Sequence, residues 1–463
     1  MVRCEEEVEE GEGRLFEVGE VRGVGRVLVA RKNIKAGQEV LRETAAVAGP
    51  ANTPSPVCVG CCEEWREGGR EGGGRCGRCG WTVCGQQECR GAGWHSIECG
   101  VLASAPPGSP HCYAAILPLR LALLARRNDR LAARLNLLMD HREDLQDRQD
   151  FETKWLQPVR ACLAHTDLTE EEILRGIGIF LTNAANMAPA QGRWIFPTFS
   201  FLSHSCVSNS RFFISPGGEV TVTAVVDIEA GQEVTISYCP PQPGNITRRE
   251  KIQRLWQFLC QCERCQDGTE LGTFLSGVKC RHCQTGTLTS LSSSLTSPSS
   301  PSSSLTADYH CGTEGCGQTV SSSTILALTN SLAAEVAQTQ PENVLELIDK
   351  LESVLHTQHY LIMELRQRWV DITMEDTTNT RTEAELVRVV EFLQVITRVN
   401  SKIEPGYSVS LGTNLRHLNT AMLGLAKLRL QQQKIDKKEF MMIARKAAEN
   451  IKIAKKCFEN TTV

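Results

Sequence analysis

Phe201-Leu202-Ser203-His204-Ser205-Cys206, with Asn209 three residues on, stands in the middle of a ladder of metal-ligand residues. The ladder reads Cys58/Cys61, Cys76/Cys79, Cys84/Cys89 and His95/Cys99, then Cys206 and Cys260/Cys262/Cys265, then Cys280/Cys283 and Cys311/Cys316. Close thiol pairs recurring in this way point to tetrahedral zinc sites, three to four ions in all. The first eight ligands suffice for two ions, and alternating pairs interleave. One zinc then takes Cys58, Cys61, Cys84 and Cys89, and the other takes Cys76, Cys79, His95 and Cys99; Cys62 is an alternative to Cys61. Cys260, Cys262 and Cys265 supply three thiolates and need a fourth. Cys280, Cys283, Cys311 and Cys316 form a separate ribbon-like quartet around a Ser-rich stretch.

At 463 residues the chain has room for two to four domains. A net charge of −4 gives no global basic field that demands nucleic acid. The acidic run within residues 1–13 reads as a solvated tail, and the lysines from Lys434 to Lys456 as the wet face of helices. No 18-residue apolar run and no charged-then-apolar leader occur, so neither a membrane span nor secretion is expected. The thiols are therefore expected to be reduced and metal-bound, in cytoplasm or nucleus. Cys4, Cys62, Cys112, Cys162, Cys239 and Cys457 lie off the ladder and read as small buried hydrophobes.

Working outward, residues 14–50 read as short strands, with Val27-Leu28-Val29-Ala30 as an apolar run and a turn at Lys35–Gln38. Residues 58–99 lack apolar periodicity and need metal to fold. Residues 110–195 form a helical insert after a Pro-rich break; Thr169-Glu170-Glu171-Glu172 is N-cap chemistry for its last helix. Residues 196–240 hold two strands, Glu219–Val226 and Glu233–Tyr238. Residues 245–268 carry the thiol triplet, and 278–320 the ribbon, interrupted by a low-complexity loop over 287–306. From 322 to 463 amphipathic helices follow one another. The fold class is α+β, multidomain.

These motifs resemble a known family. Ser203-His204-Ser205-Cys206 and Asn209 resemble the Asn-His-Ser-Cys-x-Pro-Asn motif of SET-domain methyltransferases, and Glu229–Tyr238 resembles the strand that follows it. Phe258 and the Cys260–Cys265 triplet look like a post-SET segment, which supports Cys206 as the fourth ligand. The interleaved finger, with Trp94 beside His95, resembles a MYND zinc finger. The order is that of the SMYD family: a β-rich SET fold split by a MYND finger and a helical insert, a zinc-bound post-SET, and a TPR-like helical C-terminus. The chain looks most like its divergent arthropod-type SMYD-A group.

The resemblance implies transfer of a methyl group from S-adenosylmethionine to a protein lysine. It implies Tyr238 as the hydroxyl that orients the amine, and a cofactor site from Gly25, Arg26, Asn183, Ser200, Phe201, Ser203, His204 and Phe258. It also implies a peptide ligand for the finger, often proline-containing; from charge and hydropathy no direct nucleic-acid or membrane partner is expected, and the chain is expected to be a monomer. Three departures stand out: Val27 in place of a glycine, Ser203 in place of an asparagine, and Ser208 in place of a proline. A valine cannot easily take φ > 0 if that turn requires it. A serine lacks the reach and paired donor and acceptor of an amide. The alternative frame Gly23-Val24-Gly25 would supply two glycines. These departures favour a second reading, a catalytically silent SET and MYND scaffold acting as a protein-interaction adaptor. A DNA-binding zinc protein gains little, since the fingers lack the C2H2 pattern.

Overall fold

The computed structural model describes residues 14–21, 25–51, 56–64, 73–86, 89, 93–104, 112–146, 151–163, 166–187, 192–290, 308–375 and 381–459. The acidic tail, the Gly23-Val24 frame, the Pro-rich break and residues 291–306 of the Ser-rich stretch lie outside these.

Strands β1 (Phe16–Val21) and β2 (Gly25–Ala30) form an antiparallel hairpin. Strand β3 (Glu39–Thr44) is followed by β4 (Val47–Pro50), and the Cys-rich segment holds a small hairpin of β5 (Gly74–Arg75) and β6 (Thr82–Val83). Much later come β7 (Ala185–Met187), β8 (Gly192–Ile195), β9 (Ser203–His204), β10 (Ser210–Ile214), β11 (Glu219–Ala224) and β12 (Thr235–Ile236). The two halves interlock: β3 pairs with β11, β4 with β8, and Val29 bridges Glu233. Strand β9 runs parallel to β12 over two residues only.

Between the halves lie α1 (His95–Leu102), α2 (Ile116–Arg127), α3 (Asp129–Asn136), α4 (Arg142–Gln146), α5 (Gln157–Leu163) and α6 (Glu170–Asn183). Helix α6 starts with a reciprocal capping box: Thr169 N–H donates to Glu172, 2.7 Å, and Glu172 N–H to the Thr169 hydroxyl, 3.3 Å. It can pass close to the segment before α4 because Gly178 has no Cβ; one would lie 2.2 Å from the Asp140 carbonyl oxygen.

One apolar cluster joins Leu28, Val57, Trp81, Leu117, Ile177, Phe196, Val222 and Val234. The Cys-rich segment therefore shares the core of the strands, through Val57, Val59, Trp81 and Val83. It is not left without an apolar core, as its composition suggested.

Helices α7 (Asn245–Trp256) and α8 (Glu263–Gln266) flank the thiol triplet. A four-stranded sheet follows in the order β13 (Val278–Lys279), β14 (Thr287–Ser290), β15 (Tyr309–Cys311) and β16 (Thr319–Val320). Residues 287–290 are thus a central strand and not part of a loop, because Leu288 is buried and paired to Val278 and Cys311. The expected strand Glu233–Tyr238 is shorter in the structure. Asn209 takes its backbone instead, donating to the Glu233 carbonyl (2.8 Å) and accepting from Thr235 N–H (2.8 Å).

The chain continues in α9 (Ser322–Gln338), α10 (Val344–Glu352), α11 (Tyr360–Glu375), α12 (Glu383–Ile403), α13 (Val409–Gln431) and α14 (Lys437–Phe458). The four-stranded sheet shares a core with α9 to α11, and α11 to α14 share another. The turn before α13 meets the strands at Gly406 (φ +73°), where a Cβ would lie 1.7 Å from the Val225 carbonyl oxygen. Arg211 of β10 caps the end of α14 by donating to the Cys457 and Glu459 carbonyls. Among the described residues no helix is long and apolar enough to cross a membrane.

Candidate functional site

The structure brings the sixteen ladder residues together in four groups: Cys58, Cys61, Cys84, Cys89; Cys76, Cys79, His95, Cys99; Cys206, Cys260, Cys262, Cys265; and Cys280, Cys283, Cys311, Cys316. Within each, the ligand atoms lie within 4.8 Å of one another. Sulfur pairs measure 3.9 Å (Cys61 to Cys84), 3.7 Å (Cys76 to Cys99), 3.5 Å (Cys206 to Cys265) and 3.7 Å (Cys280 to Cys316). A tetrahedron of zinc–sulfur bonds of ~2.3 Å has edges of ~3.8 Å, so these donor sets fit zinc. Cys62 is buried next to the first group in a left-handed conformation (φ 64°) and is not part of it.

The second group has a backing network. His95 turns Nε2 toward Cys79 (3.5 Å) and leaves Nδ1 3.7 Å from the Glu98 carboxylate, one turn along α1. Glu98 is fully buried and clasped by Arg120 of α2 through both oxygens, the Nε contact being 2.9 Å. Arg120 also donates to the Ala48 carbonyl of β4 and to the Val59 carbonyl (3.0 Å). Burial pushes the Glu98 carboxyl up, but Arg120 and His95 outweigh it and hold it below the ordinary carboxylate range. One arginine thus joins the finger, the sheet and the helical insert.

The third group stands beside the Ser-His-Ser-Cys motif. Cys206 Sγ lies 3.4 Å from His204 Nε2 and accepts from Arg248 Nε at 3.4 Å. Arg248 also donates to Glu270, 2.7 Å, and Arg264 donates to the same oxygen at 3.0 Å. Burial would raise Glu270, but Arg248 and Arg264 keep it ionised. On the other side of His204, its Nδ1 accepts from Tyr238 N–H at 3.0 Å.

The Tyr238 hydroxyl donates to the Leu202 carbonyl at 2.6 Å. Its ring faces His204 (5.1 Å), Trp256 (5.1 Å) and Phe258 (6.4 Å). Burial pushes the phenol above its ordinary range, so it is neutral at physiological pH. The rings of His204 and Trp256 are tilted against that of Tyr238 and Phe258 meets it edge to face, while the only proton of its hydroxyl is already committed.

The polar side chains expected to meet a cofactor are mostly engaged within the protein. Both Asn183 Nδ2 hydrogens go to carbonyls, Met139 (2.7 Å) and Ile179 (3.1 Å), which leaves Oδ1. Ser200 donates to the Phe196 carbonyl, Ser203 to Glu233, and Arg26 to the Leu137 carbonyl. Phe201 is buried in the core, and Phe258 packs against the third thiol group. Gly25 is the turn residue that needs to be glycine, with φ +97° and open space at its Cβ. Val27 is a fully buried residue of β2 opposite Gly19 and takes no positive φ, so the strain considered for it does not arise.

Arg248, Arg264 and Glu270 were missed from the sequence. In Thr247-Arg248-Arg249-Glu250 the arginines read as a solvated helix face, and nothing in the spacing separates Arg248 from Arg249. Glu98 had a usable signal: a carboxylate three residues after a ligand histidine on a helix shares its face.

The SET domain family matches residues 25–239. The chain is 29% identical over 275 residues to SET domain-containing protein SmydA-8, isoform B, of Drosophila melanogaster, covering 56% of this chain and 59% of that protein. It is 24% identical over 282 residues to histone-lysine N-methyltransferase ASHR1 of Arabidopsis thaliana, covering 55% and 57%. It is 24% identical over 220 residues to histone-lysine N-methyltransferase SMYD3 of Mus musculus, covering 44% and 51%. The chain therefore spans a little over half the length of these curated relatives. A solved structure of Rubisco LSMT bound to AdoMet aligns over 97% of this chain and 87% of that one, at 11% identity and a TM-score of 0.28.

Proposed function

With the chain a SET-domain protein of the SMYD family, we propose that it is an S-adenosylmethionine-dependent protein-lysine methyltransferase. The observation that carries this reading is the Tyr238 cluster. Its phenol is neutral and donates to the Leu202 carbonyl, so its lone pairs are free to accept from an amine N–H. That orients the nitrogen lone pair for attack, and the surrounding rings of His204, Trp256 and Phe258 favour a cationic centre. S-adenosylmethionine, when bound, supplies the electrophilic methyl group. It would be held by the turn at Gly25 and Arg26, the Asn183 Oδ1, main-chain groups of Ser200, Ser203 and His204, and the faces of Phe201 and Phe258. On this reading residues 58–99 are a MYND finger for proline-containing peptides, 245–268 a post-SET segment, and 322–463 a TPR-like array.

One observation favours the second reading, a catalytically silent SET and MYND scaffold. The side-chain donors of Arg26, Asn183, Ser200 and Ser203 are spent on the protein itself. Losing one or two cofactor hydrogen bonds at about 1 kcal/mol each weakens binding roughly five- to thirtyfold. Calorimetric titration with S-adenosylmethionine separates the two. Weak binding, with lysine methylation abolished by Tyr238→Phe at unchanged zinc content, supports the enzyme. No heat of binding with cofactor in the millimolar range leaves the scaffold.

A further inference from the structure

We propose that His204 is a positioning residue that ties Tyr238 to the metal-bound thiolate of Cys206. The argument begins with an obligate donor. The backbone N–H of Tyr238 points at His204 Nδ1 at 3.0 Å, so that nitrogen carries a lone pair. A neutral imidazole then holds its one hydrogen on Nε2, which faces Cys206 Sγ at 3.4 Å. Cys206 is consequently an acceptor, the role of a thiolate ligand. Arg248 Nε donates to the same sulfur at 3.4 Å and Arg248 Nη2 to Cys265 Sγ at 3.8 Å, which matches negative charge on that face of the quartet.

The short strand pairing explains why such a tie is needed. Strands β9 and β12 pair over two residues, and the last main-chain contact is Ser205 N–H to the Ile236 carbonyl, 3.1 Å. Beyond it the Tyr238 N–H finds the His204 ring in place of another carbonyl. The imidazole thus acts as the next rung, and its far end is anchored on a sulfur of the quartet. When the quartet is broken, Cys206 is no longer held, Nε2–H loses its acceptor, and the rung that fixes Tyr238 loosens. The third metal group is in this way part of the site's geometry and more than a staple for the segment after it.

The geometric claim stands without catalysis; only its consequence for turnover rests on the methyltransferase reading. The full chain carrying 15N-histidine and ring-labelled tyrosine tests it by NMR. The expected spectrum has a slowly exchanging Nε2–H imidazole that is lost in His204→Asn, separate from that of buried His359, whose Nδ1 also accepts a backbone N–H. Cys262→Ser removes a ligand of the same quartet other than the one that faces His204. It should lower zinc by one ion and shift both the His204 and Tyr238 signals, whereas Cys283→Ser lowers zinc by one and shifts neither. In His204→Asn the side-chain oxygen still accepts from Tyr238 N–H but cannot reach the sulfur, so adding Cys262→Ser should no longer move Tyr238. A proton on Nδ1 in the unmodified chain, or a Tyr238 signal indifferent to Cys262→Ser, overturns the proposal even if Cys262→Ser proves poorly folded. Methylation with the proton on Nδ1 sinks this proposal alone. An Nε2–H tautomer with neither cofactor binding nor methylation sinks the enzyme reading alone.

Discussion

Replacing Arg120 by methionine should unseat the Cys-rich finger from the strands it shares a core with. The guanidinium is fully buried and serves four acceptors: both oxygens of Glu98, the Ala48 carbonyl and the Val59 carbonyl. Methionine fills the stem's volume but leaves a dry carboxylate and two dry carbonyls. Breaking one side of a buried ion pair costs about 3–5 kcal/mol. Each orphaned carbonyl adds about 1–3 kcal/mol unless water follows into the vacated space. Because these losses overlap, about 4 kcal/mol is expected for Arg120→Met. Replacing Glu98 by glutamine in the same chain removes the stranded charge and should recover roughly 2 kcal/mol as a coupling energy. Urea denaturation of the four proteins of the cycle, with zinc release followed in parallel, measures both quantities. A single-variant cost under about 1 kcal/mol, within the range of an exposed pair, would refute the idea that this arginine welds the finger to the core. So would a double variant no more stable than Arg120→Met.

Three further outcomes are expected. Gly406→Ala forces a side chain into φ +73° and within 1.7 Å of the Val225 carbonyl oxygen, so it should lower the melting temperature by several degrees; the conformational strain alone is about 1–3 kcal/mol. The Tyr238 phenol, raised by burial, contributes stability that is complete below its unfolded value of about 10 and is lost as pH rises through the folded value. A tyrosinate absorbance difference between the native chain and Tyr238→Phe should therefore be absent at roughly pH 10; its presence there would contradict the buried placement. A chelator should remove the metal of the Cys280 group first, because Cys283, Cys311 and Cys316 are only half-buried, and last from the Cys206 group; retention of ribbon zinc after the others have gone would reverse this order.

The sequence made the ladder readable because metal chemistry fixes residue type and short spacing together: a C-x2-C pair has few other uses. Helix starts were readable for the same reason, since the capping box at Thr169 and Glu172 is a local exchange of hydrogen bonds. What was not readable depends on contacts distant in sequence. Leu288 lies in a Ser-rich stretch and becomes a strand residue only because Val278 and Cys311 pair on either side. Strand Glu233–Tyr238 keeps only Thr235–Ile236, since Asn209 competes for the backbone at one end and the His204 ring takes the Tyr238 N–H at the other. Val27 looked like an obstruction in a turn, yet the hairpin register puts it opposite Gly19, inside a ladder. The partners of Ser203 and Asn183 follow from packing and could not be read from the motif, although they bear most directly on cofactor binding.

The two arginine networks can be understood through the charge of the groups they back. A divalent ion with four thiolates carries a net charge of about −2, and burying such a dianion is unfavourable without nearby positive charge. Arg248 and Arg264 supply that charge with no exposed side-chain surface, and Arg248 reaches two of the sulfurs. Two buried guanidiniums would in turn repel, and Glu270 between them relieves this. The histidine-containing group has one thiolate fewer and is backed instead by Glu98, with Arg120 behind it. The Cys280 group has three half-buried ligands, and solvent can do there what the arginines do elsewhere. The buried Cys206 group is thus compensated from within the protein, which explains why a glutamate and two arginines occupy the dry interior beside Cys206 and Cys265. The departure at Ser203 falls on the other side of that strand, toward Glu233. The metal-backed half of the site is complete in either functional reading, so only the cofactor-facing half distinguishes an enzyme from a scaffold.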